Sequence, residues 1–172
     1  MESTYYFIIV GVLLFEYALS TISSTLNMNS ITEDIPDGFQ DYYDKDKYAK
    51  SQSYLKDKTR FGLFTGTFSL CITLVIIHAG LFGLLDDFVR AYSNHYITSG
   101  LLFFGTLFIL NDVINLPFSI YGTFVIEEKY GFNKTTWKTY VSDKFKGYGL
   151  TIVLGSAVMV PLLYFFETYG SN

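Results

Sequence analysis

The chain has 172 residues, of which 50% are hydrophobic, 19% aromatic and only 16% charged. That balance excludes an ordinary water-soluble domain, because too few polar helix faces exist to cover the apolar runs. A net charge of −4 with no basic cluster gives no support to nucleic-acid binding, and a lone cysteine, Cys71, excludes an intrachain disulfide.

Four apolar runs reach the roughly 20 residues needed to cross a bilayer, at 5–23, 61–85, 96–126 and 147–166. They predict an all-α, polytopic membrane helix bundle of about four transmembrane helices. The first run is preceded by one charge, Glu2, and lacks both a basic leader and a small-residue cleavage pattern, so it reads as a retained helix. It carries an acid, Glu16, deep in apolar sequence. The next segment, 24–60, begins with turn-formers (Asn27, Asn29, Pro36, Asp37, Gly38) and becomes rich in Tyr and Lys. Either a juxtamembrane helix running into the second span or a solvated linker fits that composition.

The second run carries a stripe of small residues, Gly62, Gly66, Ser69, Thr73 and Gly80, within about 60° on a helical projection. Small residues let membrane helices approach closely, so the stripe is a candidate packing face. His78 lies roughly opposite and reads as a packing or interfacial residue. In the third run Asn111, Asp112, Asn115 and Ser119 share an arc of about 100°, and Pro117 withholds a hydrogen bond from the Val113 carbonyl. Polar groups at such depth face a bundle interior or a water-filled space. Glu16, Asn111, Asp112 and Asn115 are therefore candidate lining residues. The third run ends abruptly at Glu127-Glu128-Lys129 and turns through Gly131-Phe132-Asn133, the pattern of a membrane exit.

Lys and Arg number six in 24–60, one in 86–95 and five in 127–146. Eleven of the 12 thus fall on one side if the four spans alternate. The positive-inside rule then places the first and third connections in the cytoplasm and both termini outside or lumenal.

The usual catalytic constellations are missing. His78 and His95 are the only histidines, and no His-Glu-x-x-His, paired-cysteine or Gly-rich phosphate pattern occurs. No catalytic or metal-binding residue is assigned to this chain.

The segment Leu116-Pro117-x-Ser119-x-Tyr121-x-Thr123-Phe124-Val125-Ile126-Glu127-Glu128-Lys129-x-Gly131-Phe132-Asn133, followed by Thr136, Asp143 and Lys146, resembles the N-terminal membrane domain of the type I CAAX prenyl proteases. Glu16-Tyr17 and Lys50-Ser51-x-x-Tyr54-x-x-x-Lys58 add weaker support. The resemblance implies an integral-membrane zinc endopeptidase that processes prenylated CAAX proteins in a chamber enclosed by membrane helices. Family members carry their His-Glu-x-x-His and a further Glu ligand downstream of the region matched here. By the resemblance, residues 1–172 are the N-terminal membrane domain. Zinc is a cofactor of the full-length protein, not of this chain. The partners are membrane lipid, a missing C-terminal catalytic portion and, at full length, a prenylated CAAX substrate. Glu16, Asn111, Asp112 and Asn115 would line the chamber, and the loop with Glu127, Glu128, Lys129 and Asn133 would brace the catalytic portion. The membrane would be the plasma membrane in a bacterium, or the endoplasmic reticulum or inner nuclear membrane in a eukaryote. Two rival readings are a non-enzymatic membrane scaffold and a small transporter or channel using the Asn111/Asp112 arc.

Overall fold

The computed structural model describes residues 2–170. All regular structure among them is helical: α1 (Glu2–Asn29), α2 (Lys45–His78), α3 (Leu81–Tyr92), α4 (Tyr96–Tyr121) and α5 (Trp137–Tyr169). A π-helical segment, Gly122–Glu127, continues α4. Four helical stretches are long and apolar enough to span a membrane: Thr4–Asn29, Lys45–His78, Tyr96–Glu127 and Trp137–Tyr169. The protein is thus an all-helical polytopic membrane protein.

The helices outrun the apolar runs that nucleate them. α2 has 34 residues, or about 50 Å at the usual rise, against a hydrocarbon core of about 30 Å. Its first half, Lys45 to Arg60, is therefore a juxtamembrane helix and not a linker. Asp44 caps it by accepting from the Lys47 amide at 3.0 Å. Thr136 does the same for α5, accepting from the Thr139 amide at 3.2 Å. The expected span at 61–85 stops short, because α2 ends at His78. Gly80 sits in the left-handed region (φ 66°), which breaks the helix before Leu81 although the hydropathy continues. Pro117 lies inside α4 without ending it, and the hydrogen-bonding pattern turns to π one turn later, at Gly122.

The chain divides into two compact units. The first holds α1, α2 and residues 118–133. Here the Tyr17 hydroxyl meets Thr67 Oγ1 at 2.7 Å, joining α1 to α2. Phe118 packs among Phe61, Phe64 and Phe68 of α2, with ring centroids 4.9–6.3 Å apart. The small-residue stripe does not close on α1: a Cβ at Gly62 or Gly66 would meet nothing within 4 Å. Both glycines instead line a groove of about 280 Å³ with Tyr17, Ser20, Thr21 and Ser24.

The second unit holds α3, α4 up to Pro117 and α5. Gly100 faces Leu163 of α5 closely, since an added Cβ would lie 2.7 Å from Leu163 Cδ1. Burial among the described residues is confined to Val89, Ser99, Ile126, Tyr130 and Leu163. The long helices therefore keep their apolar faces bare, which in water would cost about 25 cal/mol for every Å² left exposed. A hydrocarbon surrounding removes that cost.

Candidate functional site

Two side-chain clusters stand out, one in each unit. The first is built where the π-helical segment ends. The backbone there closes by a Schellman motif: Phe132 N–H donates to the Glu127 carbonyl at 2.9 Å and Gly131 N–H to the Glu128 carbonyl at 2.9 Å. Gly131 takes the left-handed conformation (φ 67°) that the motif demands and that side chains with a Cβ resist. Each letter of Glu-Glu-Lys-Tyr-Gly-Phe-Asn thereby acquires a place. The glycine stops the helix and the phenylalanine folds back.

That turn clasps the juxtamembrane half of α2. Lys129 Nζ and the Tyr130 hydroxyl both donate to Asp57 Oδ2, each at 2.7 Å. Tyr54 stacks edge-on against Phe132 and Tyr130, at 4.8 and 5.5 Å. Lys58 donates to the Tyr54 hydroxyl at 3.0 Å and lies 3.9 Å from Glu127. Asn133 donates to Glu128 at 3.0 Å. Tyr130 is buried, while the Lys129 head stays largely exposed. The hydrogen bond to Asp57, then the neighbouring Tyr130, hold the Lys129 ammonium above its ordinary pKa. Asp57, and secondarily burial, likewise raise the Tyr130 phenol. Both shifts favour the protonated forms, as expected for two donors that face one carboxylate.

The second cluster joins α4 to α5. Asp112 accepts from Lys144 Nζ and from the Tyr148 hydroxyl, each at 2.5 Å. Phe108 covers Tyr148 edge-on at 6.2 Å. Asn115 donates to the Asn111 carbonyl at 2.8 Å and to its side chain at 3.1 Å. Of the candidate lining residues, Asp112 is thus committed to a cation and a phenol, and Asn111 and Asn115 to each other. Glu16 is exposed and has no hydrogen bond or ion pair among the described residues.

Zinc needs about four donors of the Cys, His and carboxylate kind around one point. His78 Nδ1 faces the Tyr6 hydroxyl at 3.3 Å, and no group of three His, Cys, Asp or Glu side chains converges among the described residues. The donor set of the described residues does not fit the metal.

Sequence reasoning missed the partners. Asp57 and Tyr54 lie one turn apart on α2 beside Lys58, a spacing that marks one helix face. Nothing local says that this face meets residues 127–133. Lys144 and Tyr148, spaced i, i+4 in the first part of α5, likewise mark a face without naming Asp112.

The family described as "CAAX prenyl protease N-terminal, five membrane helices" matches residues 24–172. "Probable CAAX prenyl protease 1" of Schizosaccharomyces pombe is 36% identical over 145 residues, covering 77% of this chain and 31% of that protein. "CAAX prenyl protease 1" of Saccharomyces cerevisiae is 30% identical, covering 80% and 33%. "CAAX prenyl protease 1 homolog" of Homo sapiens is 30% identical, covering 81% and 31%. The crystal structure of S. mikatae Ste24p superposes with a TM-score of 0.86 at 26% identity, covering 97% of this chain and 40% of that one. The chain spans about a third of the length of the curated relatives it matches.

Proposed function

The chain belongs to the CAAX prenyl protease family by its N-terminal membrane domain, and from that premise we propose that residues 1–172 form the membrane-embedded part of a zinc-dependent endopeptidase acting on prenylated CAAX proteins. In this reading the chain builds part of a chamber wall. The zinc ligands and the hydrolytic step belong to residues outside 1–172. Glu16 and the Asn111–Asp112–Asn115 arc line the chamber, with Asp112 held in place by Lys144 and Tyr148. Because the relatives named above come from eukaryotes, the membrane in this reading is the endoplasmic reticulum or the inner nuclear membrane, as expected for a eukaryotic member.

The observation that carries this reading is the clasp. Glu127 to Asn133, the last part of the continuous segment that bears the resemblance, lock onto Tyr54, Asp57 and Lys58. Their role is to fix the exit of the π-helical segment against α2, so that whatever follows in space meets a rigid edge. A loop ordered in this way suits the support of a catalytic portion better than it suits a transport path.

The test is a split protein. Residues 1–172 are co-expressed with the remainder of a yeast relative, and cleavage of a prenylated CAAX peptide is measured in membranes. Turnover that needs both parts, and that falls when Asp57→Ala and Tyr130→Phe are combined in the first, supports the reading. No turnover despite co-purification of the two parts contradicts it.

A further inference from the structure

Among the described residues, α3 is the one separate α-helix too short to cross a bilayer. Its 12 residues make about 18 Å, against a core of about 30 Å. It is also sharply two-sided. Leu81, Leu84, Leu85, Phe88, Val89 and Tyr92 share one side on a helical projection, while Gly83, Asp86, Asp87 and Arg90 share the other. The apolar side divides again. Val89 is buried at 3% exposure and Leu85 half-buried, whereas Leu84, Phe88 and Tyr92 stand 62%, 59% and 74% exposed. Phe88 and Tyr92 stack with ring centroids 5.0 Å apart, making one aromatic ridge.

Within its unit α3 packs where α4 begins and α5 ends. Phe82, Gly83, Asp86 and Arg90 share a cavity of about 380 Å³ with Tyr96 and Ser99 of α4 and Leu163 of α5. The bare ridge therefore lies at the level where two spanning helices cross the membrane boundary. α5 also leaves apolar residues exposed near this end, such as Leu162 and Phe165. Three side chains on one short ridge fall well below the roughly 800 Å² per partner of a stable protein interface.

We propose that α3 is an interfacial helix, lying at the headgroup–acyl boundary with Leu84, Phe88 and Tyr92 in lipid and Asp87 in water. Its charge logic differs from that of basic amphipathic helices. Asp86 is paired with Arg90 at 2.8 Å and Asp87 adds a net negative charge, so anionic lipid offers no attraction. Apolar area alone holds it. The insertion is then indifferent to headgroup charge and to salt.

Leu84→Cys, Phe88→Cys and Asp87→Cys are made singly in a Cys71→Ser background, spin-labelled, and reconstituted as the full chain. Vesicles are phosphatidylcholine alone, or phosphatidylcholine with phosphatidylglycerol. Collision with oxygen and with a water-soluble nickel chelate is compared. The proposal expects oxygen to dominate at 84 and 88 and nickel at 87, unchanged between vesicles and between low and high salt. Nickel accessibility at 84 and 88 would overturn it. So would dipolar broadening between labels, which would put a second copy on the ridge, or insertion only with the anionic lipid.

Discussion

Asp57 and Lys129 are 72 positions apart in the chain and 2.7 Å apart in space. One carboxylate oxygen of Asp57 receives both Lys129 and Tyr130. A single acid on α2 thereby anchors two successive residues of the turn that ends the third span. Losing that acid strands both donors, so the anchor is more than a surface ion pair.

Tyr130→Phe isolates the buried half of the anchor. Tyr130 is 8% exposed, so removing its hydroxyl costs about 1.5–3 kcal/mol, the range of a hydrogen bond to a charged group. Unfolding of the detergent-solubilised chain reads it. The pH dependence has a definite sign. Lys129 and Tyr130 both hold their protons above the ordinary values of 10.5 and 10.0. Their contribution is complete below those values and is lost as pH rises through the folded-state values. The Tyr130→Phe deficit is therefore constant from about pH 7 to 9 and shrinks only in stronger alkali.

Gly131→Ala tests the turn itself. An added Cβ would lie 3.6 Å from Lys50 Nζ, an ordinary contact, so space is not the obstacle. The φ of 67° is. The expected cost is about 1–2 kcal/mol, with Gly131→Asn cheaper because Asn tolerates the left-handed region. Equal stability of wild type and Gly131→Ala in the same unfolding experiment would show that the Schellman turn is not needed.

Asp112→Leu leaves Lys144 without its partner in a site where the two side chains keep only 26% and 20% exposure. The expected loss is about 2 kcal/mol, below the roughly 3–5 kcal/mol of a fully buried pair. Asp112→Leu combined with Lys144→Met should recover most of it, because both desolvated charges are then gone. A double variant as unstable as the single would mean that Tyr148, not Lys144, is the partner that matters.

Much of this arrangement is legible in the residues. Low-charge apolar runs announce the four long helices, and the period of the arc at Asn111, Asp112 and Asn115 announces a polar face. The failures are instructive. The hydropathy of Leu81, Phe82, Leu84 and Leu85 extends the second run past His78, because an average over a window does not register one left-handed glycine at Gly80. The same average hides α3 as an element of its own. Partners are harder still. Periodicity assigns Asp57 and Lys144 to faces, but which faces meet depends on contacts 72 and 32 residues apart.

The uneven basic residues give a topology test. Asp37→Cys and Lys134→Cys, each in a Cys71→Ser background, should resist an impermeant thiol reagent added from outside sealed cells or from the lumenal side. Asn94→Cys should react. The basis is the eleven-to-one split of Lys and Arg between the two sides. Labelling at residue 134 from outside would reverse the orientation.

We propose that residues 1–172 supply membrane architecture and that the hydrolytic centre lies in other residues of the full-length protein. The most direct measurement is zinc content together with turnover of a prenylated CAAX peptide by the purified chain alone. A hydrolytic zinc needs about three protein ligands and a water, and no such group converges among the described residues. Zinc well below one ion per chain and no turnover are expected. Stoichiometric zinc with zinc-dependent proteolysis by residues 1–172 alone would contradict it.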